Sequence, residues 1–178
     1  MVIMNARHGQ AAGGSFFFTL NLNDPAATLL TEHIGLLRAA LRQVKAQHPF
    51  DILAMVVLPD HLHALWRLPA DDEDYGRRWD LIKVGFASRL PPLATVQLSR
   101  RLRRERGLWQ RRYWTQRMRD EHDLQRHLDY IHRNPVLHGY ARSPLDWPYS
   151  SVHRYVQAGV LPADWTGQDT GDWAVGER

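Results

Sequence analysis

A chain of 178 residues has the length of one domain and can bury a sizeable core. Its 44% hydrophobic and 24% charged residues fit a soluble globular protein. No apolar run would span a bilayer and no signal-like N-terminus is present, so a cytoplasmic location is expected. With no cysteine, disulfides and thiolate metal sites are excluded.

Taken in order, residues 1–14 read as a flexible lead-in ending in Gly13-Gly14, and Ser15 to Leu22 as a Phe-rich strand. Asp24-Pro25 is a helix-start signal, and Leu29, Leu30, Ile34, Leu37, Leu41 and Val44 carry helical spacing towards Gln47. After His48-Pro49 come strands near 50–58 and 61–68, joined at Pro59-Asp60. A second helix follows over about Arg77 to Leu90, closed by Pro91-Pro92. Residues 93–106 fit either an irregular segment or a basic helix, and Leu108 to Met118 reads as a strand. Asp120 caps a third helix, with Asp123 three residues on. The helix is expected to end at Asn134, before Pro135. A short helix from Ser150 towards Val156 and an acidic, mobile tail over 163–178 complete the chain, which leaves one domain at 15–162.

The order strand, helix, strand, strand, helix, strand is that of the split βαβ, ferredoxin-like α+β fold. It predicts an antiparallel sheet with two helices on one face and the other face free, followed by the third helix and a short extension.

Two stretches carry chemistry. In His61-Leu62-His63-Ala64-Leu65-Trp66, side chains two apart share a face. The apolar set Leu62, Ala64, Trp66 and Leu68 should lie on the core, and His61 and His63 side by side on the less buried face. Two such imidazoles suit either a metal ion with open positions or an ordinary half-exposed strand. In the third helix, Leu124, Leu128 and Ile131 form a core stripe. Asp123, His127, Tyr130 and Asn134 form a second stripe beside it. A phenol can attack phosphorus and an amide oxygen can bind a hard metal, so Tyr130 and Asn134 are candidates. Equally, they fit a boundary aromatic and a helix cap. His127 and Asp123 suit either a proton-moving pair or a solvated edge, and His132 faces elsewhere. Two imidazoles with one amide oxygen make a neutral, mixed N/O set that favours Mn²⁺ or Mg²⁺ over a closed zinc site.

Charge is concentrated as well. The net charge is +4, and 21 of the 23 basic residues are arginine. Nine of these lie between Arg100 and Arg119, against one acid, Glu105. Arginine's planar fork favours phosphate, so a nucleic-acid backbone is a natural partner, with a solvated basic loop as the alternative for 100–106. Arg100, Arg101, Arg103, Arg104, Arg111, Arg112 and Arg117 are the candidate DNA contacts. Trp109, Tyr113 and Trp114 could either stack on bases or fill the core.

Leu58-Pro59-Asp60-His61-Leu62-His63 resembles the His-hydrophobic-His motif of HUH nucleases. Tyr130-Ile131-His132-Arg133-Asn134-Pro135-Val136, with Gly139 following, resembles the single-tyrosine motif of the REP-associated tyrosine transposases. Gly13-Gly14-Ser15-Phe16-Phe17-Phe18-Thr19, Trp109-Gln110-Arg111-Arg112-Tyr113-Trp114 and Asp146-Trp147-Pro148-Tyr149-Ser150-Ser151 extend the resemblance over roughly residues 13 to 165. It implies a ferredoxin-like fold and metal-dependent cutting and rejoining of single-stranded DNA near hairpin repeats, by a monomer or homodimer. Carried over, Tyr130 is the nucleophile, and His61, His63 and Asn134 are the ligands of Mg²⁺ or Mn²⁺. Asp60 departs from the pattern, standing where relatives often have Asn, and the Arg-rich lead-in is reduced to Arg7 and His8. A non-cleaving DNA-binding regulator of the same fold is the alternative, and a metal hydrolase using water in place of tyrosine is another.

Overall fold

The computed structural model describes residues 12–91 and 107–167. Arg100, Arg101, Arg103 and Arg104 lie outside them, as do most of the expected lead-in, the undecided stretch 93–106 and most of the acidic tail. Four strands, β1 (Ala12–Asn21), β2 (Asp51–Val57), β3 (His61–Pro69) and β4 (Trp114–Arg117), form an antiparallel sheet in the order β2-β3-β1-β4. The helices are α1 (Leu29–Glu32), α2 (Ile34–Gln47), α3 (Tyr75–Ala87), α4 (Glu121–Leu137) and α5 (Val152–Gln157). A 3-10 turn lies at Pro144–Asp146. Among the described residues no helix is long and apolar enough to cross a membrane.

Alternation in the central strands divides the sheet into two faces. Phe16, Phe18 and Leu20 of β1, with Leu62, Ala64, Trp66 and Leu68 of β3, pack against Leu37, Ala40, Leu41 and Val44 of α2 and Trp79, Ile82 and Phe86 of α3. Trp66 stacks on Trp79 with centroids 4.0 Å apart. The start of β1 crosses β3 so closely that a Cβ on Gly13 would lie 2.0 Å from the Pro69 carbonyl oxygen. Only glycine fits there.

The opposite face is not free, contrary to the expectation from element order. Leu124, Leu128, Tyr130 and Ile131 of α4 cover Phe17, Ala54, Val56 and Leu65. The chain after α4 then adds to the β2 edge: Val57 N–H donates to the Tyr149 carbonyl (2.9 Å) and Ser151 N–H to the Met55 carbonyl (2.8 Å). Helices on both faces turn the expected exposed surface into a second interior.

Three element boundaries differ from expectation. Asp24-Pro25 makes a turn, not a helix start, because Asp24 Oδ1 accepts from the Ala26 N–H and its carbonyl from the Ala27 N–H. The first helical stretch therefore begins at Leu29 and is interrupted at His33. The strand expected over Leu108 to Met118 shrinks to Trp114–Arg117, preceded by an isolated bridge from Trp109 to Leu22. Pro135 does not end α4, which runs on to Leu137. Pro135 and Asn134 are both buried, and the last turn closes on a glycine motif: Gly139, at φ 72°, donates to the Val136 carbonyl (3.0 Å) and Tyr140 to the Pro135 carbonyl (2.8 Å).

Candidate metal and tyrosine site

His61 and His63 project from β3 onto the face covered by α4, where they are 8% and 0% exposed. The half-exposed strand expected for them is thus a buried one. One row of partners runs across the sheet here, Val56, His63, Thr19 and Trp114 in register. Thr19 Oγ1 lies 2.8 Å from His63 Nδ1. Nε2 of the same ring is buried and has no hydrogen-bond partner among the described residues. Burial, reinforced by the neighbouring His61 and His138, holds the His63 imidazole well below its ordinary pKa, so it is neutral and keeps a lone pair. The Asp60 carboxylate accepts from His61 Nδ1–H at 2.8 Å, which fixes that ring's tautomer.

A third histidine completes the group. His138 is the C-cap of α4, held there by its N–H donating to the Asn134 carbonyl (3.0 Å) and by the Gly139 turn. The ligand atoms of His61, His63 and His138 lie within 4.8 Å of one another, and the His61 and His138 rings are 4.9 Å apart. Three imidazole donors gathered in that range could hold one divalent ion. The sequence reading missed His138. Its one signal was position: four residues beyond Asn134, at a helix end marked by glycine.

Tyr130, two turns before His138 on α4, is buried at 1% exposure, and its ring meets His63 edge-on at 5.2 Å between centroids. Phe17 fills the space below both rings. Asn134 is fully buried, and neither its Oδ1 nor its Nδ2 has a hydrogen-bond partner among the described residues. Buried polar atoms left this way cost about 1–3 kcal/mol each unless a ligand satisfies them. The orphaned Nε2 of His63, inside the cluster of three imidazoles, fits a divalent ion, and Asn134 carries further unpartnered polar atoms one turn before His138 on α4.

His127 and Asp123 are each 4% exposed, so their edge is not solvated. His127 Nδ1–H donates to the Asp123 carbonyl at 2.7 Å, which leaves Nε2 as the unprotonated nitrogen in the neutral ring. Burial lowers the His127 pKa despite the nearby Asp123 charge. Burial would raise the Asp123 carboxyl, but hydrogen bonds from the Arg119 N–H and guanidinium outweigh it and hold it lower. His132 faces away from the cluster and bonds Ser151 Oγ through Nε2 at 2.9 Å.

The basic and aromatic candidates scatter. Arg111 and Arg112 are exposed. Arg117 pairs with Phe16 across the strands and lies on the α2/α3 face, with its guanidinium on Glu73 at 2.8 Å, so it is not brought to the histidine cluster. Trp109 is buried against Phe86 and Tyr113 packs near Phe18, whereas Trp114 is 49% exposed on the cluster's face.

No protein-family model matches the chain. It is 43% identical over 164 residues to a Haemophilus influenzae protein assigned to the REP-associated tyrosine transposases, spanning 92% of this chain and 93% of that one. It is 40% identical over 166 residues to the REP-associated tyrosine transposase of Escherichia coli K12, spanning 93% and 92%. Its fold matches the solved structure of a REP-associated tyrosine transposase bound to a REP hairpin with a TM-score of 0.79 at 39% identity, over 98% of this chain and 97% of that one. With these relatives aligned over nearly its whole length, the chain belongs to the REP-associated tyrosine transposase family.

Proposed function

We propose that this protein is a metal-dependent transposase that cuts and rejoins single-stranded DNA near palindromic REP hairpins through a 5′-phosphotyrosine link. The observation that carries the reading is the edge-on contact of Tyr130 with His63, 5.2 Å between rings, inside the cluster of His61, His63 and His138. The strand order and all-antiparallel pairing support reading the fold as ferredoxin-like, with α4 as the added catalytic helix. The relative solved with a REP hairpin supports the same class of DNA for this chain.

His61 and His63, with His138 and Asn134 as further donors, would hold the divalent ion, Mg²⁺ or Mn²⁺. Bound there, such an ion supplies Lewis-acid polarisation of a non-bridging phosphate oxygen. Tyr130 gives up its phenol proton as Oη attacks phosphorus. The bond from phosphorus to the 3′ oxygen breaks, that oxygen takes up a proton, and the 5′ side stays on Tyr130. Attack on this link by another 3′-OH rejoins DNA and releases the phenol. Asp60 and Thr19 fix the histidine rings, and the exposed Arg111 and Arg112 would meet backbone phosphates. Arg100, Arg101, Arg103 and Arg104 belong to the same proposal, and Arg117 does so only for DNA reaching the α2/α3 face.

The test is a denaturing gel with labelled hairpin DNA and Mn²⁺. A retarded protein–DNA band that disappears with Tyr130→Phe and with EDTA supports the reading, and cleavage surviving Tyr130→Phe overturns the nucleophile. One observation favours the alternative, a non-cleaving regulator: Tyr130 is almost wholly buried, so attack requires α4 to expose it. Hairpin retention without cut or adduct would establish that second reading.

A further inference from the structure

From His138 of the histidine cluster the chain extends a row of three rings, Tyr140, Trp147 and Tyr149, that the transesterification does not use. His138 and Tyr140 lie 6.3 Å apart, Tyr140 and Trp147 5.5 Å, and Trp147 and Tyr149 5.7 Å. The row begins at a member of the cluster itself.

The row is rigid where it is anchored and open where it ends. Trp147 Nε1–H donates to the Val57 carbonyl at 2.9 Å, and His153 Nε2–H to the Trp147 carbonyl at 2.8 Å, which fixes the indole against β2. Tyr140 is fixed in its backbone by its N–H to the Pro135 carbonyl and by the left-handed Gly139 before it. Its side chain nevertheless stays 46% exposed. Exposed aromatics held by a rigid backbone lose little entropy on contact, and every base offers a flat face to them.

We propose that Tyr140, backed by Trp147, is the stacking platform for an unpaired base flanking the scissile phosphate. The inference rests on the single-stranded DNA reading above and adds to it a nucleotide-binding subsite. Position argues for a base there and not for a phosphate. Asp60 accepts from His61 Nδ1–H at 2.8 Å, the His61 ring lies 4.9 Å from His138, and His138 is the ring next to Tyr140, so a carboxylate stands on this side of the row and disfavours a phosphate. A neutral base face meets no such repulsion. Arg142, exposed two residues further on, is available for the adjoining phosphate.

The experiment measures binding without cleavage, in EDTA, by fluorescence anisotropy. The probes are a labelled REP hairpin without a flank, the same hairpin with a short unpaired flank, and flanks carrying one abasic site at each position in turn. Tyr140→Ala should weaken binding of the flanked hairpin about 10-fold, within the range that stacking of one base supplies. It should leave the flankless hairpin unchanged, and its effect should vanish with the abasic site at one flank position. Tyr140→Phe should bind as the parent does. Equal loss on flanked and flankless hairpins, or no loss on either, overturns the platform while leaving the transposase reading intact. Failure of the parent protein to bind any of these probes overturns both.

Discussion

Along β3, Leu62, Ala64, Trp66 and Leu68 enter a dry interior of Phe, Trp and Leu side chains, while His61 and His63 enter an interior that is equally closed but polar. Under α2 and α3 the rings pack on one another, Trp66 stacked on Trp79 and tilted against Phe50 with centroids 4.1 Å apart. Under α4 the apolar residues only frame Thr19, His63, His127, Asp123 and Asn134, several of whose polar atoms find no partner among the described residues. Folding free energy comes mainly from the first face, because burial of large apolar side chains dominates it. The second face buries polar groups at a cost, and such groups are retained where function needs them.

The sharpest way to break this division is to exchange the penalties. Trp66→Ala should cost about 3–5 kcal/mol of stability, the range for large aromatic truncations, whereas metal-free His63→Ala should cost far less. Urea denaturation compares the two, and equal losses would mean that both faces carry the fold alike. Metal binding sharpens the comparison from the other side. At Mn²⁺ near 100 times its dissociation constant, the parent should gain about 2.7 kcal/mol, read as a rise in Tm. His61→Ala and His63→Ala should abolish that gain. The same scan on His138→Ala and Asn134→Ala decides which of them is the third donor.

Acid should act through His132, which faces away from the cluster and whose pKa burial depresses to about 3, helped by Arg154 and His153. The unfolded chain protonates this ring below about 6.5, and the native state does not until about 3. Stability is therefore full above pH 6.5 and is lost as pH falls towards 3, by about 2 kcal/mol at pH 5 from this group. His132→Gln should flatten that part of the profile in denaturation curves taken across the range, and an unchanged slope would remove His132 as its source. The smallest effect is expected from Thr19→Val, which deletes the hydroxyl 2.8 Å from His63 Nδ1. It should change stability by about 1 kcal/mol and weaken Mn²⁺ binding about 10-fold or more by isothermal titration calorimetry.

The element order and the two-residue alternation of β3 were legible because they are local. So was the stripe of Tyr130 and Asn134 beside the core stripe of α4. What the sequence did not reveal depends on contacts between distant segments. His61 and His63 read as half exposed because nothing local announces that α4 will close over them. The end of α4 was placed at Asn134 by the rule for residues before proline, but burial of Asn134 and Pro135 outweighs that preference. His138 escaped because a histidine at a helix end has no periodic signature; only the return of α4 across β3 brings it to His61. Arg117 looked like its neighbours in the basic stretch, and strand register alone sends it to the far face.

Covalent chemistry at Tyr130 is the central expectation for this site, and peptide mapping after reaction tests it most directly. The protein would be incubated with hairpin DNA and Mn²⁺, treated with nuclease and trypsin, and analysed by mass spectrometry. Cleavage after Arg126 and Arg133 yields a peptide, His127 to Arg133, with Tyr130 as its one tyrosine. A nucleotide remnant on that peptide, absent in EDTA, is the predicted result. DNA cut in the same reaction with the peptide unmodified, or with the remnant on another tyrosine, would contradict it.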